Sequence, residues 1–362
     1  MVCLTTSSWR SSRPSSHRRS PGASRARVTL SLCAVLALGL AACGTDEAPG
    51  SEEEQAEVIR NCDVDVPVDE PPERLFAAYQ PAIEMAHALG VSDRLVGTAY
   101  LDAEVLPEYA EAQQGQRYYE NLPSREALLE TEPDFVLSGF NGAFTDEQFG
   151  TRASLRELGI ESWIFSPLCP SEDGMDDETI DPSAVTIEAI YSDLRELGTV
   201  FGASDRAEEI VADMQATIDE VRDTVSEAGD GIERPSVAVA RPDGDGFRVA
   251  AGPDFTTELV KHAGGENAFA DLEQRRNMDV STEEMIARDP DHIFVDVCCD
   301  AEMTAADAAD DVEAILSDPA LANIEAVAEG NVHEFTFANR SAGVRSAPVI
   351  AEIAATIHPE LF

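Results

Sequence analysis

Lysine is nearly missing from these 362 residues: Lys261 is the only one, and 25 basic residues face 70 acidic ones. With a net charge of −45 and no basic cluster beyond residue 27 larger than the pair Arg275-Arg276, the chain has little with which to neutralise phosphate. Nucleic acids and anionic surfaces are therefore excluded as partners. Long apolar runs are also missing. The mostly apolar stretch Val28–Ala42 has 15 residues, whereas roughly 20 are needed to cross a bilayer as a helix. No Gly-x-Ser-x-Gly elbow, His-Glu-x-x-His pair or phosphate loop occurs, and the histidines are scattered at 17, 87, 262, 292, 333 and 358. No catalytic residue is expected, and a secreted enzyme is the weaker alternative. Cys-x-x-Cys spacing is absent, so no metal centre is expected. Asp243-Gly-Asp-Gly-Phe247 lacks the later ligands of a calcium loop and reads as a hairpin turn.

The first 27 residues hold six arginines and no acid, and the short apolar run follows directly. That is the plan of a secretory signal. Its end, Leu40-Ala41-Ala42-Cys43-Gly44, resembles the lipobox of bacterial lipoproteins. The resemblance implies lipidation at Cys43, cleavage before it, and a membrane anchor on the extracytoplasmic face; two acyl chains suffice for stable anchoring. Arg18-Arg19 lacks the apolar residues expected after a twin-arginine pair. Without residues 1–42, 19 basic residues face 70 acids, a net charge of −51. Such a surface over an ordinary 43% hydrophobic content is compatible with a saline habitat, because molar salt shortens the Debye length to about 3 Å.

Residues 43–60 are polar and acidic and read as a flexible tether. From Cys62 onward, short apolar runs alternate with helical patterns, the mark of α/β layers. Strands are expected at 74–79, 94–100, 134–140, 162–166, 236–240, 247–251, 292–297 and 331–335. Helices are expected at 82–89, 124–130, 146–158, 182–202, 205–227 and 346–357. In 205–227, Ala207, Ile210, Val211, Met214, Ile218 and Val221 recur at helical spacing. Four cysteines follow the anchor: Cys62, Cys169, Cys298 and Cys299. Three full pairings exist, and the adjacent pair is expected to bond elsewhere rather than to itself.

One pattern occurs twice. Ser124-Arg-Glu-Ala-Leu-Leu-Glu-Thr-Glu-Pro-Asp-Phe-Val136 and Ser281-Thr-Glu-Glu-Met-Ile-Ala-Arg-Asp-Pro-Asp-His-Ile293 place serine, glutamate, Pro-Asp and a strand start at equal offsets. Each reads as a serine-capped helix stopped by proline before a buried strand. The echo falls on either side of a long helical stretch and predicts two similar α/β lobes. The boundaries are 61–182 and 231–362, with connecting helices at 183–230.

These units, with Leu89–Gly97, Leu197–Ala207, Glu258–Phe269 and the closing His358-Pro-Glu-Leu-Phe362, resemble the solute-binding proteins of ABC importers that handle ferric siderophores, haem and cobalamin (periplasmic binding protein class III). The resemblance covers about residues 62–362. It implies two α/β lobes joined by a long helix, a ligand held between them without a cofactor, and ABC permease subunits as partners of a single copy of the chain. The expected ligand is a ferric siderophore or similar iron chelate, with haem or cobalamin as alternatives. Strand ends place Tyr79, Tyr100, Phe140, Arg241, Arg340 and Arg345 as ligand-binding candidates, since aromatic faces and arginine forks suit flat, oxygen-rich ligands. The family docks through one glutamate per lobe: Glu258 matches the second-lobe position, and Glu108 is the expected first-lobe residue, with Glu104 and Glu111 as rivals.

Overall fold

The computed structural model describes residues 58–171, 174–228 and 234–362. The signal, Cys43 and the tether up to residue 57 lie outside the described residues. Strand β1 (Val58–Asn61) starts two residues before the expected end of the tether and pairs antiparallel with β2 (Val64–Pro67).

Two larger sheets follow. The first contains β3 (Leu75–Ala78), β4 (Leu95–Ala99), β5 (Tyr118–Tyr119), β6 (Phe135–Ser138) and β7 (Glu161–Ile164). Its order is β5-β4-β3-β6-β7, and every pair is parallel. The second contains β8 (Ser236–Asp243), β9 (Gly246–Ala250), β10 (Glu266–Asn267), β11 (Asn277–Ser281), β12 (His292–Val297) and β13 (Val332–Thr336). Its path is β11-β9-β8-β12-β13, with β10 beside β8. Here β8, β10, β12 and β13 run parallel, while the hairpin β8–β9 and its neighbour β11 are antiparallel. The Asp243–Gly246 turn closes that hairpin, as its sequence implied.

Alternation along the strands divides the core. Leu75 and Ala77 of β3, Val237 and Val239 of β8, and Phe294 of β12 enter one shared cluster between the sheets. Phe76 and Ala78 face a second cluster behind the first sheet; Ala238, Ala240, Ile293 and Val295 face a third behind the second sheet. Because both faces are covered, β3 and β6 are buried at every position rather than at alternate ones. The shared cluster is completed by helices Gln80–Ala88, Ile187–Val200, Ser204–Glu227 and Ser346–Ile357. In Ser204–Glu227 the six residues of the expected apolar stripe are the buried ones, and the five larger than alanine are each worth about 2 kcal/mol as burial.

The sequence echo has a structural counterpart. Ser124 accepts from Ala127 N and Ser281 from Glu284 N, capping the two helices. Beyond each proline, the aspartate ties the incoming strand to the central one. Asp134 accepts from Glu73 N and Arg74 N at the start of β3, and Asp291 accepts from Ser236 N at the start of β8. The repeated Pro-Asp thus sets the register of neighbouring parallel strands at one end of each sheet.

Three expectations need correction. The helix expected over 146–158 shrinks to Arg152–Arg156, because Gly150 turns the chain at φ 93° and Thr151 starts a new cap. The helix expected over 182–202 begins at Ile187, where Thr186 caps it after a single 3-10 turn at Pro182–Ala184. The cysteines pair as Cys62–Cys169, with Cα atoms 5.4 Å apart, and as Cys298–Cys299, the adjacent bond that sequence reasoning had set aside. Once Cys62 and Cys169 meet beside the first sheet, the other two stand together in the loop after β12. No helix among the described residues is long and apolar enough to cross a membrane.

Candidate functional site

Tyr79, Tyr100 and Phe140 follow the carboxyl ends of β3, β4 and β6, where adjacent parallel strands bring them together. The Tyr79 ring lies 4.9 Å from that of Tyr100 and 4.2 Å from that of Phe140, centroid to centroid. Both tyrosines have left-handed backbone, φ 72° and 62°, a conformation that a bulky residue adopts only when its surroundings impose it. The ladder does so: Tyr79 N donates to Ala99 O at 2.8 Å and Tyr100 N to Tyr119 O at 3.0 Å. Burial pushes the Tyr79 and Tyr100 hydroxyls up, so both remain protonated donors.

The second sheet supplies charge. Arg340, after β13, is buried and bonds Asp254 at 3.0 Å, Asp296 at 2.9 Å and Asn277 Oδ1 at 2.6 Å. Arg276 reaches Asp254 at 3.2 Å, and Arg241 lies 3.9 Å from Asp296. Burial alone would raise the Asp254 carboxyl, but the Arg340 and Arg276 guanidiniums overcome it and hold it at about 2. Asp254 and Asp296 in turn raise Arg340 against the pull of burial. Asp254 and Arg340 therefore both stay ionised throughout the physiological range.

The two groups meet across a narrow gap. Arg276 stands 5.5 Å from the Phe140 ring centre, and Arg340 stacks on Phe337 at 4.5 Å. Pro81, Phe140 and Leu168 line one side, while Phe255, Arg276, Phe337 and Arg340 line the other, around a void of about 10 Å³. That is the room of about one water, so any larger ligand must part the walls. Arg276 Nε, Asp296 Oδ1 and Asn141 Oδ1 are buried without partners. Glu178 straps the two sides. Its carboxylate accepts from Asn277 N at 3.0 Å and Arg248 at 2.8 Å, and its carbonyl accepts from Arg276 N at 2.9 Å.

Of the six ligand candidates, Tyr79, Tyr100 and Phe140 form the aromatic side and Arg340 and Arg241 belong to the charged side. Arg345 points elsewhere: it bonds Glu84 at 2.6 Å, together with Asn339 Oδ1 and the Glu104 carbonyl, and lies buried. Arg276 stands in the sequence only as half of the basic pair Arg275-Arg276. Only the antiparallel pairing of β11 with β9 carries it to the gap. Glu108 is exposed at the surface. Glu258 is buried, held by Lys261 at 2.9 Å and His262 at 3.2 Å, and these partners lower its carboxyl against the effect of burial.

Residues 77–337 match the family described as periplasmic binding protein. No curated protein matches the chain. Among solved structures, a periplasmic binding protein from Veillonella parvula shares 23% identity over 84% of this chain and 98% of its own, with a TM-score of 0.72. A structure titled as an ABC-type Fe3+-hydroxamate transport system from Saccharomonospora viridis shares 24% over 84% and 99%, with a TM-score of 0.65. A periplasmic haem-binding protein from Roseiflexus shares 21% over 80% and 99%, with a TM-score of 0.60.

Proposed function

The chain belongs to the periplasmic binding protein family, and on that footing we propose that it is the solute receptor of an ABC importer for a ferric siderophore or similar iron chelate. Proteins of this family bind solutes for transport; they are not enzymes and carry no cofactor. The observation that carries the reading is the meeting of three aromatic rings with buried, permanently charged arginines across one gap. Rings offer flat apolar faces, and guanidiniums offer paired donors to carboxylate, catecholate or hydroxamate oxygens. Tyr79, Tyr100, Phe140, Arg241, Arg276 and Arg340 would contact the ligand. Arg345, engaged by Glu84, would instead hold the walls together. A haem-binding neighbour makes haem the second reading, since its propionates suit the same arginines.

In this reading residues 1–42 export the chain, Cys43 carries the lipid, and the acidic tether lets the receptor reach a permease nearby. Lobes at 61–182 and 231–362, with connecting helices at 183–230, would part to admit the ligand and close on it, a single copy sufficing. Glu108 is free to meet permease arginines. Glu258 would first have to exchange Lys261 and His262.

Titrating the protein with a ferric hydroxamate, haem and cobalamin while following tyrosine and tryptophan fluorescence tests the reading. Quenching by the ferric hydroxamate at micromolar concentration, weakened at least tenfold in Arg340→Gln, is the expected result. Binding of cobalamin alone, or of none of the three, would overturn it. Glu108→Ala should leave the titration unchanged and reduce uptake by cells.

A further inference from the structure

The loop after β12 meets the loop after β4. Cys299 N donates to Asp102 O at 3.0 Å, and Glu104 N donates to Met303 O at 2.9 Å, tying this loop to the one after β4. At the crossing, Cys298 Sγ lies 3.7 Å from Asp102 Oδ1. Ligand atoms of Asp102, Cys298 and Cys299 all fall within 4.8 Å of one another. Asp102 is 1% exposed, yet its Oδ2 has no partner at all. No cation reaches it directly: Arg340, Arg276 and Arg241 are spent on Asp254 and Asp296. A buried carboxylate oxygen left unpaired beside two sulfurs is what a bound cation would explain.

We infer that Cys298, Cys299 and Asp102 form a redox-gated site for one thiophilic divalent cation such as Zn2+ or Cd2+. In the structure the sulfurs are bonded to each other and the site is closed. A thiol reductant opens it. Two RSH molecules convert the disulfide to two cysteine thiols and leave as RS–SR. The cation then displaces the two thiol protons, forming two metal–sulfur bonds, and Asp102 supplies the oxygen ligand. Cys299 is exposed, so both reductant and cation have access. Two thiolates and a carboxylate leave a fourth tetrahedral position for water or another ligand. Because Asp102 belongs to the loop after β4 and the cysteines to the loop after β12, a bound cation would also fasten the two loops. The inference does not depend on which chelate the gap receives.

The test is Cd2+ titration of the full-length chain before and after mild thiol reduction, read by the ultraviolet thiolate-to-cadmium absorption band. Reduction should create one equivalent of binding that Cys298→Ser/Cys299→Ser lacks, and Asp102→Asn should weaken it by about tenfold or more, the loss seen even for supporting groups of a metal site. An unchanged band in the serine variant, or unchanged affinity in Asp102→Asn, overturns the site. Should those variants fail to fold, alkylation of the reduced wild-type protein decides, with the peptide containing Cys298 and Cys299 quantified by mass spectrometry. Protection of that peptide by Cd2+ supports the site, and equal labelling with and without Cd2+ overturns it.

Discussion

Replacing Arg345 by leucine should cost more stability than any surface change, for reasons that lie in its partners. Its Nε lies 3.0 Å from both Glu84 oxygens, its Nη2 bonds Oε1 at 2.6 Å, and its Nη1 bonds Asn339 at 3.1 Å. Removing the guanidinium leaves Glu84, only 1% exposed, with the neutral donors Gln80 Nε2 and Leu106 N, each at 2.9 Å. An uncompensated buried charge of this kind costs about 3–5 kcal/mol. For a chain of this size that converts to a fall in Tm of about 5–8 °C. Glu84→Leu/Arg345→Leu removes both charges and should be more stable than Arg345→Leu alone, since neither group is then stranded. Differential scanning calorimetry of the four proteins measures this coupling. A fall below about 1 kcal/mol in the single variant, or strict additivity in the double, would refute the stranded-charge argument. A normal Tm with lost affinity for a ferric hydroxamate would return Arg345 to the ligand site.

Three further outcomes are expected. Cys62→Ala/Cys169→Ala opens a loop of 107 residues and should lower stability by about 3–5 kcal/mol in denaturant titration; an unchanged midpoint would show that the covalent link adds nothing to the packed hairpin. His292 Nδ1 and His333 Nε2 share one hydrogen bond at 3.1 Å, so one nitrogen must stay unprotonated. Burial, then His292, lowers His333 to about 4, and burial lowers His292 as well; the unfolded chain therefore binds more protons between about pH 4 and 6.5, and stability should fall as pH drops through that window. In His333→Gln the decline across that window should be shallower, and an equal slope would exclude the pair as its source. Finally, a methyl group at Gly198 would sit 2.6 Å from Ala207 Cβ, so Gly198→Ala should destabilise the crossing of the two connecting helices by about 1–3 kcal/mol, read as a lower midpoint in urea.

The legible parts of this protein were those whose cause is local. Ser124 and Ser281, each followed at a fixed offset by Pro-Asp, announced two capped helices and two strand starts, because capping and proline breaks act within a few residues. The stripe from Ala207 to Val221 announced a helix, because one buried face imposes its spacing. Aromatic residues at the ends of β3, β4 and β6 could be nominated for a ligand, since parallel strands carry their ends to one edge. The short strands β5 and β10 left no such mark: two residues carry no period.

What remained hidden was decided by pairing over distance. Arg345 and Glu84 stand 261 residues apart, and either could have been a surface charge in a chain so rich in acid. Arg276 looked like half of a loop pair until β11 joined β9 and carried it to Phe140. Cys298 and Cys299 gained a partner only when the loop after β4 set Asp102 beside them, 196 residues away in sequence. By itself the sequence determined composition, caps, periods and the two-lobed α/β plan, because these rest on neighbours in the chain. The tertiary structure alone decided which charges are compensated and which sulfurs meet, because burial and the partner across the gap set the free energy of a charge.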